Sequence, residues 1–261
     1  METEALVLDC RDHGESDLIL TLYGRSTGRL SAIAKGAKKS RRRFVNKLEP
    51  FTFLHIQYRQ KANQSLAFLA EAELYSSFIN IRSSLELFGA ASVIQEFLLA
   101  AIREGEPDEK IFRLSLWAFH SLDRRIGSKT VVTLFLVRLF DYLGYRPDFQ
   151  RCTLCRTPAG EGPGHAFSLQ QGGIVCTGCI GQGGLHLSPG TLKILQSAQE
   201  LPLEKLHRLL LSETQLSEAL GILSAYGREL LQRDIISWQV MRRNGRGLAP
   251  GDSGSRRSIR S

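Results

Sequence analysis

The stretch ALVLDCRDHGESDLILTLYGRSTGRLSAIAK, Ala5 to Lys35, decides the fold class. Apolar and polar residues alternate along it in three short runs, Ala5–Cys10, Leu18–Gly24 and Arg29–Lys35, broken at HGES and STG. A period of two with turn residues between the runs is the pattern of antiparallel strands. Two more such runs, Phe51–Arg59 and Leu66–Tyr75, follow the segment GAKKSRRRFVNK (Gly36–Lys47) and are separated by KANQ. Five strands in so short a span suit an OB-type barrel; an SH3-like barrel or a simple meander has the same strand count.

Beyond Phe78 the period changes. SLELFGAASVIQEFLLAAI, KIFRLSLWAFHSLDRRI and TVVTLFLVRLFDYLGY each place apolar residues three and four apart, as helices do. Pro107 is placed as a first-turn proline of the second helix, Ser128 as the cap of the third, and Gly144 with Pro147 as its end. Between Arg151 and His186 the helical period gives way to glycine, and FSLQQGGIVC suggests one short hairpin. Helical signals return at Ser188-Pro189, a cap and first-turn pair, and run through LKILQSAQ, LEKLHRLLL and LSEALGILSAYGRELLQRDI. These helices are expected to join the earlier ones.

The expected fold class is therefore α+β and multidomain. An N-terminal OB-fold barrel occupies residues 1–78, a helical domain 79–149 and again 188–243, and an inserted four-cysteine zinc ribbon 150–187. The tail, residues 244–261, has almost no apolar side chains and is expected to be disordered, with arginines that add weak contacts to a polyanion.

The chain has 261 residues, 34 lysines and arginines against 26 acids, and a formal charge of +8. An excess of this size points to a polyanionic partner, nucleic acid or an acidic membrane surface. The N-terminus carries acids where a secretory signal needs positive charge and an apolar run, so the expected location is the cytosol. The most apolar stretch, Val131–Leu143, is interrupted by Arg138 and Asp141 and is too short to span a bilayer. Five cysteines in a cytosolic chain point to thiolate chemistry rather than disulfides.

Four of those cysteines form the pairs Cys152-x-x-Cys155 and Cys176-x-x-Cys179, with 20 residues between the pairs. This is the spacing at which four thiolates close a tetrahedral shell around Zn2+, each CxxC placing two sulfurs on one tight turn. Four protein ligands leave no position for an activated water, so the expected single zinc is structural. His165 and His186 flank the pairs but are left out of the ligand set. Cys10 stands alone on a predicted strand, where a free cysteine behaves as a small hydrophobe.

The second signal is the basic segment. Lys35, Lys38, Lys39, Arg41, Arg42, Arg43 and Lys47 crowd one connection that contains no acid and is held by a strand at each end. Cations that neutralise phosphates release condensed counterions, which gives salt-sensitive binding with little sequence preference. Arg25 and Arg29, at the turn before the third strand, are expected to extend the patch, and Phe44 to anchor the loop to the barrel rather than stack on a base. A solvated surface loop is the plainer alternative, but ordinary surfaces mix charge signs and this segment does not.

Two other patterns fail. His13-Gly14-Glu15 with a CxxC partly matches the zinc-deaminase signature, yet Arg151 stands where that signature has proline, and the histidine falls in another predicted domain. GEGPG and GQGG lack the lysine and hydroxyl residue of a phosphate-binding loop. The remaining rivals are a zinc-dependent nucleic-acid enzyme and a protein-interaction scaffold whose charge serves solubility.

The segments occur in an order that resembles the RecO proteins of bacterial recombinational repair. Thr3–Phe44 resembles that family's opening barrel and KLEPFTFLHIQY (Lys47–Tyr58) the strand after the basic loop. GYRPDFQRCTLC (Gly144–Cys155), FSLQQGGIVC (Phe167–Cys176) and YGRELLQRD (Tyr226–Asp234) resemble its zinc segment and final helix. The resemblance implies an OB-fold, a helical domain and a zinc module without enzymatic turnover. It also implies binding of single- and double-stranded DNA, strand annealing, and work with RecR to load RecA onto strands covered by the single-strand-binding protein SSB. An acidic SSB tail docked on the helical domain, no membrane association, and a place at the bacterial nucleoid follow from the same likeness.

Overall fold

A computed structural model describes residues 1–61, 64–160, 164–181 and 183–244 of the chain. The period-two segment becomes five strands, β1 (Glu2–His13), β2 (Asp17–Gly24), β3 (Gly28–Ala34), β4 (Phe53–Arg59) and β5 (Leu66–Ser76). They close into a barrel in the order β1-β2-β3-β5-β4, with β3 and β5 parallel and the other pairs antiparallel. This order is that of an OB-fold and excludes the meander.

Strand β1 is longer than its sequence pattern because it serves two neighbours. Glu2–Leu6 pairs with β4 and Ala5–His13 with β2, and a bulge between Val7 and Asp9 bends the strand between them. Inward residues such as Val7, Leu20, Leu22, Ala32, Leu54 and Leu69 fill the barrel. Small alanines on β3 and β5 leave room for leucines from the other strands. Strand β4 starts two residues later than expected, because Phe51 turns into a left-handed conformation (φ 68°) and buries its ring outside the barrel, against the helices.

The helices are α1 (Ile79–Ser83), α2 (Leu85–Ala101), α3 (Glu109–Asp123), α4 (Ser128–Tyr142), α5 (Pro189–Glu200), α6 (Glu213–Leu231) and α7 (Ser237–Asn244). Helices from both halves share one apolar core, so the chain segments on either side of the cysteines form a single bundle. Helix α4 is buried almost all round, which is why its sequence is nearly continuous in apolar residues. It ends as expected: Gly144 is left-handed, and the N–H groups of Gly144 and Tyr145 donate back to Asp141 and Phe140.

Several local expectations are corrected. Pro107 lies outside α3, which Asp108 caps by accepting the N–H groups of Lys110 (2.8 Å) and Ile111 (3.0 Å). A carboxylate two residues before the apolar run is the better acceptor. Gly127, not Ser128, is the cap position of α4; the Ser128 hydroxyl donates instead to Glu86 of α2. LEKLHRLLL makes a 3-10 turn over Leu203–Arg208 rather than an α-helix, confined between Pro202 and the start of α6. Helix α6 stops at Leu231, where Gln232 turns left-handed, and the separate α1 and α7 were not legible.

The ribbon holds three strands, β6 (His165–Ser168), β7 (Gly173–Cys176) and β8 (Leu185–Leu187), ordered β7-β6-β8. The expected hairpin is β6–β7; β8 is an addition that leads into the Ser188 cap of α5. The expected disordered tail beyond Asn244 lies outside the described residues, as do parts of the GEGPG and GQGG spacers and of KANQ.

Barrel and bundle meet along β1 and β2. Leu6, Leu8 and Tyr23 turn away from the barrel interior into the helical core. Tyr23 sets its ring edge-on to Phe112 and donates its hydroxyl to the Asp108 carbonyl at 3.0 Å. Burial, first, and nearby Asp108 raise the Tyr23 phenol well above its ordinary range, so it stays a donor. Gly28 touches the bundle so closely that a Cβ would lie 2.5 Å from the Glu106 carbonyl, and its φ of +68° favours glycine as well. No helix among the described residues is long and apolar enough to cross a membrane.

Candidate nucleic-acid interface and metal centre

The connection from β3 to β4 carries the basic cluster and is pinned from beneath. Its entry turns at Gly36 (φ 68°), whose N–H donates to the Asp17 carboxylate at 2.8 Å. That hydrogen bond, with another from Ser16, holds Asp17 below the usual carboxylate range. Ala37, Phe44 and Leu48 then insert into the barrel core, Phe44 being 4% exposed. Phe44 is therefore an anchor, as expected, and no face of it is free to stack on a base.

Seven cations ride on this frame, and they divide into two groups. Three are tied to the fold. Lys38 pairs with Asp12 (2.7 Å), Arg43 lies over the Phe44 ring and donates to the carbonyls of Lys35 and Ala70, and Lys47 donates to the Ala72 carbonyl at 2.8 Å. Ala70 and Ala72 lie past the end of the β3–β5 pairing, so Arg43 and Lys47 satisfy carbonyls that β3 does not reach. The other four, Lys35, Lys39, Arg41 and Arg42, are exposed, and their side chains have neither a hydrogen bond nor an ion pair among the described residues.

Arg25 and Arg29 do not join them. They stand before and at the start of β3 while the loop leaves its end, so about 20 Å of strand separates the two sets. Arg25 is moreover clamped between Glu4 (3.0 Å) and Glu109 (2.5 Å), a bridge from barrel to bundle. Sequence proximity hid this, because seven residues of strand read as a short step but span a domain.

The four cysteine sulfurs come together at the ribbon's tip, all within 4.8 Å of one another, and Cys155 and Cys176 are 3.6 Å apart. A tetrahedral thiolate shell with metal–sulfur bonds of about 2.3 Å has sulfurs roughly 3.8 Å apart, so the group fits one ion. Each pair sits on a tight turn: the Arg156 N–H donates to the Cys152 carbonyl, and those of Cys179 and Ile180 to the Cys176 carbonyl. The turns face each other because the Asp148 carbonyl accepts the Ile174 N–H and the Ile174 carbonyl accepts the Thr153 N–H, both at 2.9 Å. Gly173 permits this approach; a Cβ there would lie 2.8 Å from the Asp148 carbonyl.

The local field already favours thiolates at two positions. Hydrogen bonds from the Thr157 hydroxyl and N–H lower the Cys155 thiol to about 6. Burial raises Cys152, but N–H groups of Cys155, Cys176 and Leu154 outweigh it and bring it below its ordinary value. Cys179, hydrogen-bonded to the sulfurs of Cys155 and Cys176, is pushed up to about 12. A divalent cation at the centre reverses that last effect, because it favours the ionised form of all four. Neither His165 nor His186 belongs to the group. Cys10 packs against the barrel core, and burial, followed by Asp9 and Asp12, raises its thiol to about 11, so it remains a neutral apolar side chain.

Barrel, bundle and four-sulfur ribbon in this order also match known sequences. The profile described as "Recombination protein O N terminal" fits residues 1–78, and "Recombination protein O C terminal" fits residues 82–239. The chain belongs to the RecO family. It is 34% identical to the DNA repair protein RecO of Syntrophobacter fumaroxidans over 85% of this chain and 89% of that protein. The RecO of Syntrophus aciditrophicus is 32% identical over 92% and 94%, and that of Pelotomaculum thermopropionicum 33% identical over 97% of each. The two RecO profiles meet between β5 and α2, so the basic loop lies in the N-terminal part and the four cysteines in the C-terminal part.

Proposed function

We propose that this RecO-family chain is a non-catalytic DNA-binding protein of recombinational repair in the bacterial cytoplasm, associated with the nucleoid. In this reading it anneals complementary strands and, with RecR, helps to load RecA onto single-stranded DNA covered by SSB, whose acidic C-terminal tail docks on the helical domain. The observation that carries the reading is the set Lys35, Lys39, Arg41 and Arg42. These cations stand exposed and unpaired on a loop whose underside is locked into an OB barrel.

The physics of annealing asks for little more. Two strands repel through their phosphates, and a surface that neutralises phosphates without reading bases lowers that repulsion and raises the local strand concentration. No general acid or base is required. Lys38, Arg43 and Lys47 contribute to the field while holding the loop in shape; Arg25 and Arg29 belong to a different end of the barrel. The ion in the four-cysteine group is Zn2+ in this reading, one per chain, and it is structural, since all its ligands come from the protein.

The test is strand annealing with complementary oligonucleotides coated in SSB. The wild-type chain speeds annealing, and neutralising Lys35, Lys39, Arg41 and Arg42 together to alanine abolishes the acceleration. A variant that anneals as fast as wild type rejects the loop as the working surface.

A further inference from the structure

The segment between α5 and α6 lies along α3 and the turn into α4, fixed by an ion pair at each end. Glu204 holds Arg113 of α3 (2.8 Å), and Glu213 holds Lys129 in the first turn of α4 (2.6 Å). Between them Leu206 is fully buried, while Lys205 and Arg208 stay exposed. Arg124 and Arg125 are exposed at the end of the same helix, about 16 Å along it from Arg113. Two pairs of cations remote in sequence thus share one edge of the bundle.

None of these four side chains has a hydrogen bond or an ion pair among the described residues. The acids around them are engaged, Glu204 and Glu213 in the pairs above and Asp123 with the N–H of Asn80 (2.9 Å). Arg125 moreover keeps a left-handed backbone (φ 58°) at a helix end where glycine is favoured. Cations near a helix C-terminus complement its dipole. Arg124 already does so one position earlier, so the dipole does not account for a long side chain at the strained one.

This edge is joined to the basic loop by α1. At the loop's exit Arg82 pairs with Glu49 (3.2 Å) and donates to the Pro50 carbonyl (2.9 Å). At the other end of α1 Asn80 donates its N–H and its side-chain amide to Asp123 (2.9 and 3.0 Å), the residue before Arg124. A helix of five residues, about 7.5 Å long, links the two sets of unpaired cations.

We infer that Arg124, Arg125, Lys205 and Arg208 form a second phosphate-binding track, which holds the complementary strand beside the one on the loop. The inference rests on the DNA-binding reading and deepens it. Annealing brings two polyanions together, and a second strand gains little from loop cations that the first has already neutralised. Cations spread along the length of a helix suit a charge that recurs at every nucleotide better than one compact group of carboxylates. Two tracks joined by α1 replace the collision of free strands with a search inside one complex.

The test uses the full chain and two short oligothymidylates, one with a donor dye and one with an acceptor, which cannot pair with each other. Wild type binds two strands per chain and brings the dyes within energy-transfer range. Changing Arg124, Arg125, Lys205 and Arg208 together to alanine leaves one bound strand and no transfer. The same variant slows annealing of bare complementary strands by roughly 100-fold, the scale on which a tethered encounter outruns a free one. If the fourfold variant does not fold, Lys205→Gln with Arg125→Gly, which relaxes the left-handed position, gives a smaller loss in the same direction. Undiminished transfer and annealing in the variants overturn the inference, as does loss of both strands at once. Normal annealing of bare strands with loss of binding to an acidic peptide also overturns it and makes the edge a peptide surface. Wild type that binds no strand rejects the DNA-binding reading itself.

Discussion

The basic loop and the cysteine ribbon are both irregular, glycine-containing connections, yet they are held in opposite ways. The loop buries Ala37, Phe44 and Leu48 in a core that exists without it and turns its unpaired charges to water. The ribbon brings Phe149, Phe167, Ile174 and Leu187 to the helical core at its base, while its tip is organised around four sulfurs. In the loop, the side chains that fix the shape differ from those that face a ligand. At the ribbon's tip the cysteines do both. Substitution of a functional residue is therefore expected to be silent for stability in one region and severe in the other.

The largest effect is expected at the ribbon. Four-thiolate zinc sites contribute about 10–16 kcal/mol of apparent binding free energy at neutral pH, much of it folding energy of the surrounding turns. Chelation, or Cys155→Ser, opens the segment between Arg151 and His186 to limited proteolysis and removes about one zinc per chain by elemental analysis, while the barrel stays intact. A metal-free protein with the same cleavage pattern breaks the contrast.

Within the loop, Phe44→Ala should cost about 3–5 kcal/mol in urea unfolding, the usual range for a fully buried ring. Arg42→Ala, two residues away and without a partner, should stay within about 0.5 kcal/mol of wild type. Similar losses for the two would mean that the loop's charges carry its shape after all.

A smaller effect divides the cations themselves. Lys47→Met removes the hydrogen bond to the Ala72 carbonyl on the β5 edge and should lower stability by about 1–2 kcal/mol, with a weaker effect on DNA affinity than Arg41→Ala. The reverse order would move Lys47 into the binding surface.

Much of this was legible in the chain. Alternation gave the five strands because each has one face against a core, and the CxxC pairs gave the sulfur cluster because a two-residue spacer itself makes the turn. What escaped had physical causes. Pairing of β1 with both β2 and β4 is a long-range property that no window of sequence contains. Arg25 reads as another basic residue until Glu4 and Glu109, far apart in sequence, close on it. The division of the loop's cations depended on where β3 stops pairing with β5, which no local pattern contains.

The most direct test of the central claim is the salt dependence of DNA affinity for wild type and for the Lys35, Lys39, Arg41, Arg42 alanine variant. Each lost phosphate contact removes about 0.7–0.9 from the slope of log affinity against log salt, so the slope should fall by roughly 3 with thermal stability unchanged. An unchanged slope would contradict the assignment of this loop as the DNA surface.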